Sequence, residues 1–492
     1  MESNPRAAEL LRAGRMDDAI ALLREATRQA PTDAGAWAEL AGALAAANRP
    51  DLALPAWERA IALAPRAAGA EVGRGRALQA LARAAEAAAA FERALELAPD
   101  AHDARFGLAL IAFDAGDLAA AEDHAGRLPP GPATDWLLAR IAAARSDFER
   151  VRTILAPLLP TLAEAPRAEA LLLLAQALDR LGQPSAAFAA AMEGKALQHR
   201  LFAARAAGHE GETAKLRRLG AWFAQAQPWR RADAPSAEDI AGHAFLVGFP
   251  RSGTTLLEQA LAAHPGVVTL EEAPTLADAY QEFLATPGGL ERLAALAPAN
   301  AERWRARYWQ VVRQHGVEPK GRLFLDKAPA GTLNLPLVAR LFPQAKILFA
   351  VRDPRDVVLS CAMNAFQMNS LTYAFTSLGE TAACYDAAMA LARAYRRVLP
   401  LELREVRYER LATDFAGEMR AIADFLGLSF DPAMADPASV ASSRTVRTPS
   451  AAHVRAGVDR RGLDRWRAYA AEMAPISGVL APWVEAWGYP AD

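Results

Sequence analysis

The chain has 492 residues, 52% of them hydrophobic and 23% charged, so a packed core is available and wholesale disorder is excluded. Its 55 basic and 57 acidic side chains leave a formal net charge of −2, which argues against a general nucleic-acid or anionic-membrane binder and requires any anion site to be built locally. Length alone suggests about two to four domains.

The opening MESNPRAAELLRAGR lacks the apolar core of a secretory leader. No apolar run reaches the roughly 18 residues of a membrane span. The expectation is a soluble, cytoplasmic protein. A period then declares itself: Pro31, Pro65 and Pro99 stand 34 residues apart, ending ATRQAP, AIALAP and ALELAP. The unit from Asp33 to Arg66 puts Trp37, Leu40 and Leu44 on one helical face and Ala53, Trp57 and Ala60 on the next. Small Ala53 and Ala60 let the two helices approach, with Trp57 filling the space between them. The following unit repeats this with Gly75 and Leu78, then Ala87, Phe91 and Ala94; the preceding one keeps Ala19, Leu23 and Ala26.

After Pro99 the pattern decays, although Leu108 and Ala121 remain in phase. Helical pairs continue to about Phe223, as in RAEALLLLAQALDRLGQPSAAFAAAMEGKALQ. A helix–turn–helix unit of this length closed by proline resembles the tetratricopeptide repeat. The resemblance implies an α-helical solenoid over residues 1–223, with a concave face suited to a peptide or protein partner, or a brace for a neighbouring domain. Residues 224–243, beginning AQAQPWRRADAPSAED, read as a linker.

From Ala244 the pattern changes. AFLVGF is a buried-strand run ended by Pro250 and Gly253, and TTLLEQALAAHP reads as a helix. Strand, tight loop and helix make an anion cradle, because loop and first-turn N–H groups and the helix dipole all point at a negative group. The loop GFPRSGTT has nucleotide-loop spacing, but Thr254 stands where a phosphate-binding Lys would be required. That disfavours a kinase. The cation sits at Arg251 instead.

A second motif, KILFAVRDPRDVVLS, is another buried strand running into a turn and helix, with Arg352 and Ser360 eight residues apart at the strand's carboxyl end. Open α/β sheets bind ligands at that edge. Between the motifs lie VVTLEEAPTL, with Glu271 and Glu272, and RLFLDKAPAGTLNL, whose strand-like FLDK ends on Lys327. Lysine is scarce in this arginine-heavy chain: the five are Lys195, Lys215, Lys320, Lys327 and Lys346. Asp326 reads as support for the strand end. Cys361 and Cys384 are too few for a disulfide framework or a cysteine-built zinc site, and the eight His show no ligand spacing, so no metal is expected. LREVRYERLATDF puts Tyr408 at a strand-to-helix turn, and VRTPSAAHVRAGVDRRGLDRW closes the series.

Together these motifs, from about Phe245 to Tyr489, resemble the sulfotransferases that use 3'-phosphoadenosine 5'-phosphosulfate (PAPS), and in GFPRSGTT through LEEAP the tyrosylprotein branch. The resemblance implies a P-loop-like α/β domain over residues 244–492 with a mainly parallel sheet. It implies that Arg251, Ser252, Gly253, Thr254 and Thr255 hold the 5'-phosphosulfate, that Arg352 and Ser360 clamp the 3'-phosphate, and that Tyr408, Arg455 and Arg465 approach the nucleotide. Glu272 would take the acceptor proton, Lys327 and Arg251 would stabilise charge in transfer, Ser450 would assist, and Trp466 would anchor the last helix. The late loop departs from the family, with His453 for a Gln and GVD for a Pro-containing turn. The reaction implied is transfer of a sulfuryl group to a hydroxyl, releasing adenosine 3',5'-bisphosphate, with a protein tyrosine as one acceptor. A carbohydrate or small-molecule acceptor, and a repeat scaffold with a degenerate catalytic domain, are the alternatives. A homodimer is compatible with this organisation.

Overall fold

A computed structural model describes residues 4–231, 239–435 and 462–491. The chain divides into two compact units, Met1–Ala163 and Glu164–Asp492.

The first unit is a run of antiparallel helical pairs: α1 (Pro5–Arg12) with α2 (Met16–Gln29), α3 (Ala34–Ala46) with α4 (Pro50–Leu63), α5 (Ala68–Ala80) with α6 (Ala84–Leu97), α7 (His102–Asp114) with α8 (Leu118–Gly126), and α9 (Pro132–Ala144) with α10 (Phe148–Leu158). Pro31, Pro65 and Pro99 each lie two residues beyond the end of α2, α4 and α6, where a residue without an N–H cannot prolong the helix. The turn inside each pair has its own period. Residues in left-handed backbone fall at Gly14, Asn48, Ala82 and Gly116, again 34 apart. Packing is close because one partner is small: a Cβ on Gly75 or Gly107 would come within 2.5 or 2.4 Å of the Phe91 ring, which is fully buried between them. A cavity of about 680 Å3 opens among Trp57, Gly69, Val72, Gly73, Arg76 and Asp103.

The second unit begins with three more helices, α11 (Glu164–Arg180), α12 (Pro184–Ala206) and α13 (Glu212–Gln225). Although the sequence reads them as continuing the solenoid, Leu172, Ala191, Leu216 and Phe223 share one hydrophobic core with Phe245, Phe249 and Phe349 of the sheet region. Phe223 meets Tyr395 edge-on at 4.7 Å. In an alanine-rich amphipathic helix the period shows which face is buried, but not what buries it.

The sheet has five parallel strands in the order β2-β3-β1-β4-β5: β1 (Gly242–Gly248), β2 (Val267–Glu271), β3 (Leu323–Lys327), β4 (Lys346–Val351) and β5 (Glu402–Arg407). This is the expected mainly parallel α/β domain. The inner strands β1, β3 and β4 are mostly buried, as strands covered on both faces must be, whereas the edge strand β5, ELREVR, is half-exposed. The chain leaves β1 toward one edge and later returns to the other, so strand order reverses beside β1. Ligands of such sheets enter at the carboxyl ends next to this reversal. Among the described residues, no helix is long and apolar enough to cross a membrane.

Candidate active site

β1 runs into Phe249–Gly253 and then into α14 (Thr254–Ala262), so the loop lies at the reversal point. Two of its residues hold left-handed backbone, Gly253 with φ 93° and Arg251 with φ 72°. Glycine accepts this readily, whereas arginine does so at a cost that marks functional loops. A side chain at 253 would also strike the Tyr408 ring at 2.7 Å. Ser252, Thr254 and Thr255 are buried behind the loop.

The Pro354–Met363 helix, after β4, brings its residues to the same loop. Arg251 Nε donates to Ser360 Oγ at 3.0 Å, and Arg352 Nη1 donates to the Arg251 carbonyl at 3.0 Å. Arg352 lies over the Tyr408 ring at 4.6 Å, and its Nε is buried with no hydrogen-bond partner among the described residues. Burial holds Arg251 down to about 10, against the raising influence of Cys361 and Tyr408. The other arginine of the RDPRD turn faces elsewhere: Arg355 forks onto Asp353 at 3.0 and 2.7 Å, stacks on Trp466 at 3.8 Å and donates to the Pro490 carbonyl.

On the other side of β1, the ladder sets Glu271 of β2 beside Lys327 of β3. Lys327 is fully buried, and its Nζ lies 2.8 Å from Glu271 Oε1, 2.9 Å from Glu272 Oε1 and 3.6 Å from Glu258 Oε2. Burial works against its charge, but Glu258, Glu272 and Glu271 outweigh burial and leave its pKa above that of an ordinary lysine. Glu272 is held twice. Besides the ion pair, its N–H donates to the Lys327 carbonyl at 2.7 Å, with φ 49°. Its side chain is half-exposed, so one end faces lysine and the other can face an incoming group. Next to Lys327, buried Asp326 accepts from Thr275 Oγ1 at 2.8 Å and Tyr308 Oη at 2.9 Å, and Tyr308 Oη meets His243 Nε2 at 3.0 Å. Asp326 therefore ties strand, helix and loop together, as expected.

The loop residues, Arg352, Ser360 and Tyr408 thus form one group, while Glu271, Glu272 and Lys327 form a second. Glu258 belongs to α14 and reaches Lys327, which links the groups; sequence reading missed it. Its signal is a carboxylate inside TTLLEQAL, a stretch that is buried throughout. Arg465 is committed elsewhere, to Asp179 of α11 at 3.2 Å, and Trp466 N donates to Asp356 Oδ1 at 2.9 Å. Ser450, His453 and Arg455 lie outside the described residues. Among the described residues no cluster of His, Cys, Asp and Glu could hold a metal ion.

Residues 244–432 match the model of the sulfotransferase family, and residues 5–70 and 72–135 match that of the tetratricopeptide repeat. Protein-tyrosine sulfotransferase 2 of Gallus gallus is 28% identical over 263 residues, covering 48% of this chain and 67% of the relative. Protein-tyrosine sulfotransferase 1 of Mus musculus is 35% identical over 122 residues, covering 24% and 32%. The chain spans between about a quarter and two thirds of the length of the curated relatives it matches. The solved sulfotransferase domain of the Synechococcus PCC 7002 olefin synthase is similar at 24% identity with a TM-score of 0.29, covering 50% of this chain and 98% of that one. By the two family models, tetratricopeptide repeats at residues 5–70 and 72–135 precede a sulfotransferase-family domain at residues 244–432.

Proposed function

We propose that the second unit transfers the sulfuryl group of PAPS to an acceptor hydroxyl, and that the acceptor is a protein tyrosine. The observation that carries this reading is the Lys327–Glu272 couple standing at the same sheet edge as the Arg251 loop. It sets a base and a cation next to an anion cradle. The residues present fit the donor: Arg352 has a buried, unpartnered Nε to offer a phosphate, and Gly253 leaves room for the loop under Tyr408. The loop from Arg251 to Thr255 would hold the 5' end, Arg352 and Ser360 the 3'-phosphate, and Tyr408 the nucleotide face. When bound, the donor supplies an activated sulfuryl group.

Glu272 takes the proton from the acceptor oxygen as that oxygen bonds to sulfur. The bond from sulfur to the bridging phosphate oxygen breaks, and Lys327 and Arg251 meet the charge that collects on the leaving phosphate. Adenosine 3',5'-bisphosphate and a sulfate ester result. Holding Glu272 against Lys327 at 2.9 Å keeps the carboxylate oriented until the hydroxyl arrives. A tyrosine acceptor is supported by the names of the relatives, and its phenol, with a pKa near 10, is within reach of such a base. The repeats would hold the peptide.

Glu272→Gln keeps shape but cannot take the proton. Its kcat should fall by about 10²–10⁴-fold while donor affinity stays near wild type. Glu271→Gln, measured beside it on a small phenol, should lose much less. Near-normal turnover by Glu272→Gln, or a larger loss in Glu271→Gln, would overturn the assignment of the base.

A further inference from the structure

Along α12, Ala187, Ala191 and Lys195 follow one another at four-residue spacing, and all three are buried. The helix period asks for a third small apolar residue and finds an ammonium. Lys195 is 0% exposed. Among the described residues its Nζ has no hydrogen-bond partner and no ion-pair partner. The ring of Phe366 lies 5.3 Å from it, Phe366 packs on Phe375 at 5.6 Å, and Phe375 packs on Phe249, the first residue of the anion loop, also at 5.6 Å.

The surroundings tie this lysine to the loop. Helix α12 packs on the Pro354–Met363 helix, which carries Ser360. Cys361, the next residue, donates its thiol to the Pro250 carbonyl at 3.5 Å. That thiol lies in the field of Arg251, Lys195 and Arg352 together. Burial pushes Lys195 down to about 8, so at neutral pH it remains mostly an ammonium. A buried cation with no counter-charge is costly, and a purely structural position would be filled by Met or Leu. Such charges persist where function uses them.

We propose that Lys195 is a further anion-binding residue of the donor site, its ammonium taking up phosphosulfate oxygens beside Arg251. This rests on the donor reading given above. The flexible four-carbon stem suits a cation that must move onto its ligand. The helical segment ahead of the sheet would then contribute directly to binding as well as to packing.

The test is calorimetric titration of the full chain with PAPS, in wild type, Lys195→Met and Lys195→Arg, with thermal unfolding of each free protein. Lys195→Met should bind about 10- to 100-fold more weakly, as for loss of a charge-assisted hydrogen bond, while unfolding at the same or a higher temperature. Lys195→Arg should recover part of the affinity. Wild type that fails to bind PAPS would sink the donor reading itself. If wild type binds and Lys195→Met binds equally well, this inference alone is overturned. Should Lys195→Met not fold, Lys195→Gln is read in the same way; failure of both neutral variants to fold would make the lysine structural and also overturn the proposal.

Discussion

The two compact units treat charge in opposite ways. In the first, helices meet on alanine and glycine, and the buried polar side chains among the described residues are Thr27, Glu71 and Thr134. Its ion pairs join neighbouring turns, as in Arg93–Glu96, or neighbouring helices, as in Arg150–Glu122, and most keep both side chains partly exposed. The second buries Lys195, Glu258, Asp326, Lys327, Arg352, Asp353, Arg355 and Asp356. Left-handed Asn48, Ala82 and Ser146 sit at exposed turns of the first unit, whereas in the second Arg251 and Glu272 sit at the site and Asp464 at an exposed position. Stacked repeats require only that each pair fit its neighbours. Buried charge lowers stability, so its concentration in one unit locates the chemistry there.

The sharpest way to break this contrast is to remove one cation from an ion pair in each unit. Lys327→Met leaves Glu258, Glu271 and Glu272 together without their lysine and should cost about 3–5 kcal/mol in denaturant unfolding. Arg93→Ala opens a 2.6 Å pair whose side chains are 50% and 64% exposed, and should cost no more than about 0.5 kcal/mol. Equal losses would dissolve the comparison.

Burial sets the sign at two carboxylates of the second unit. Burial raises Asp326 to about 6 against its hydrogen bonds from Thr275 and Tyr308, and raises Asp356 to about 6 against Arg352. Each keeps a proton in the folded state that the unfolded chain releases near pH 4. The stability each contributes is therefore present at lower pH and is lost as pH rises from about 4 to 6. In the first unit the hydrogen bond from Arg150 lowers Glu122, whose contribution is present at neutral pH and is lost as pH falls below the unfolded value. Asp326→Asn should therefore gain on wild type by about 3 kcal/mol between pH 4 and 7, read from thermal unfolding. A difference that stays flat across this range would contradict the raised acidity constant.

A smaller gain concerns backbone alone. Ala82 holds φ 58° on an exposed turn, so Ala82→Gly should raise the melting stability of the first unit by about 0.5–1 kcal/mol. The same relief at Glu272 is available only by giving up the carboxylate.

Much of this organisation is legible in the chain. Prolines in register mark the repeats, and the strand–loop–helix motifs, with Arg251, Arg352 and Ser360, converge in space as their positions at strand ends imply. The repeating left-handed turn is hidden because Gly, Asn, Ala and Gly occupy it in succession. The allegiance of α11–α13 is hidden because a helical period carries no identity for its partner. Arg465 looks available in sequence but is engaged by Asp179, some 286 residues earlier, a pairing that only the fold creates. Lys195 left a trace, as a charge on an alanine stripe in a chain with few lysines. Glu258 left a similar one inside an apolar helix.

The central claim is that the second unit holds a 3'-phosphorylated adenine nucleotide for sulfuryl transfer. Calorimetric titration of the full chain with adenosine 3',5'-bisphosphate, 5'-AMP and ATP with magnesium tests it most directly. If Arg352 and Ser360 engage the 3'-phosphate as proposed, the bisphosphate should bind at least about tenfold more tightly than 5'-AMP. ATP should bind weakly, since Thr254 offers no cation to its outer phosphates. Tight ATP binding with no preference for the 3'-phosphate would contradict the account.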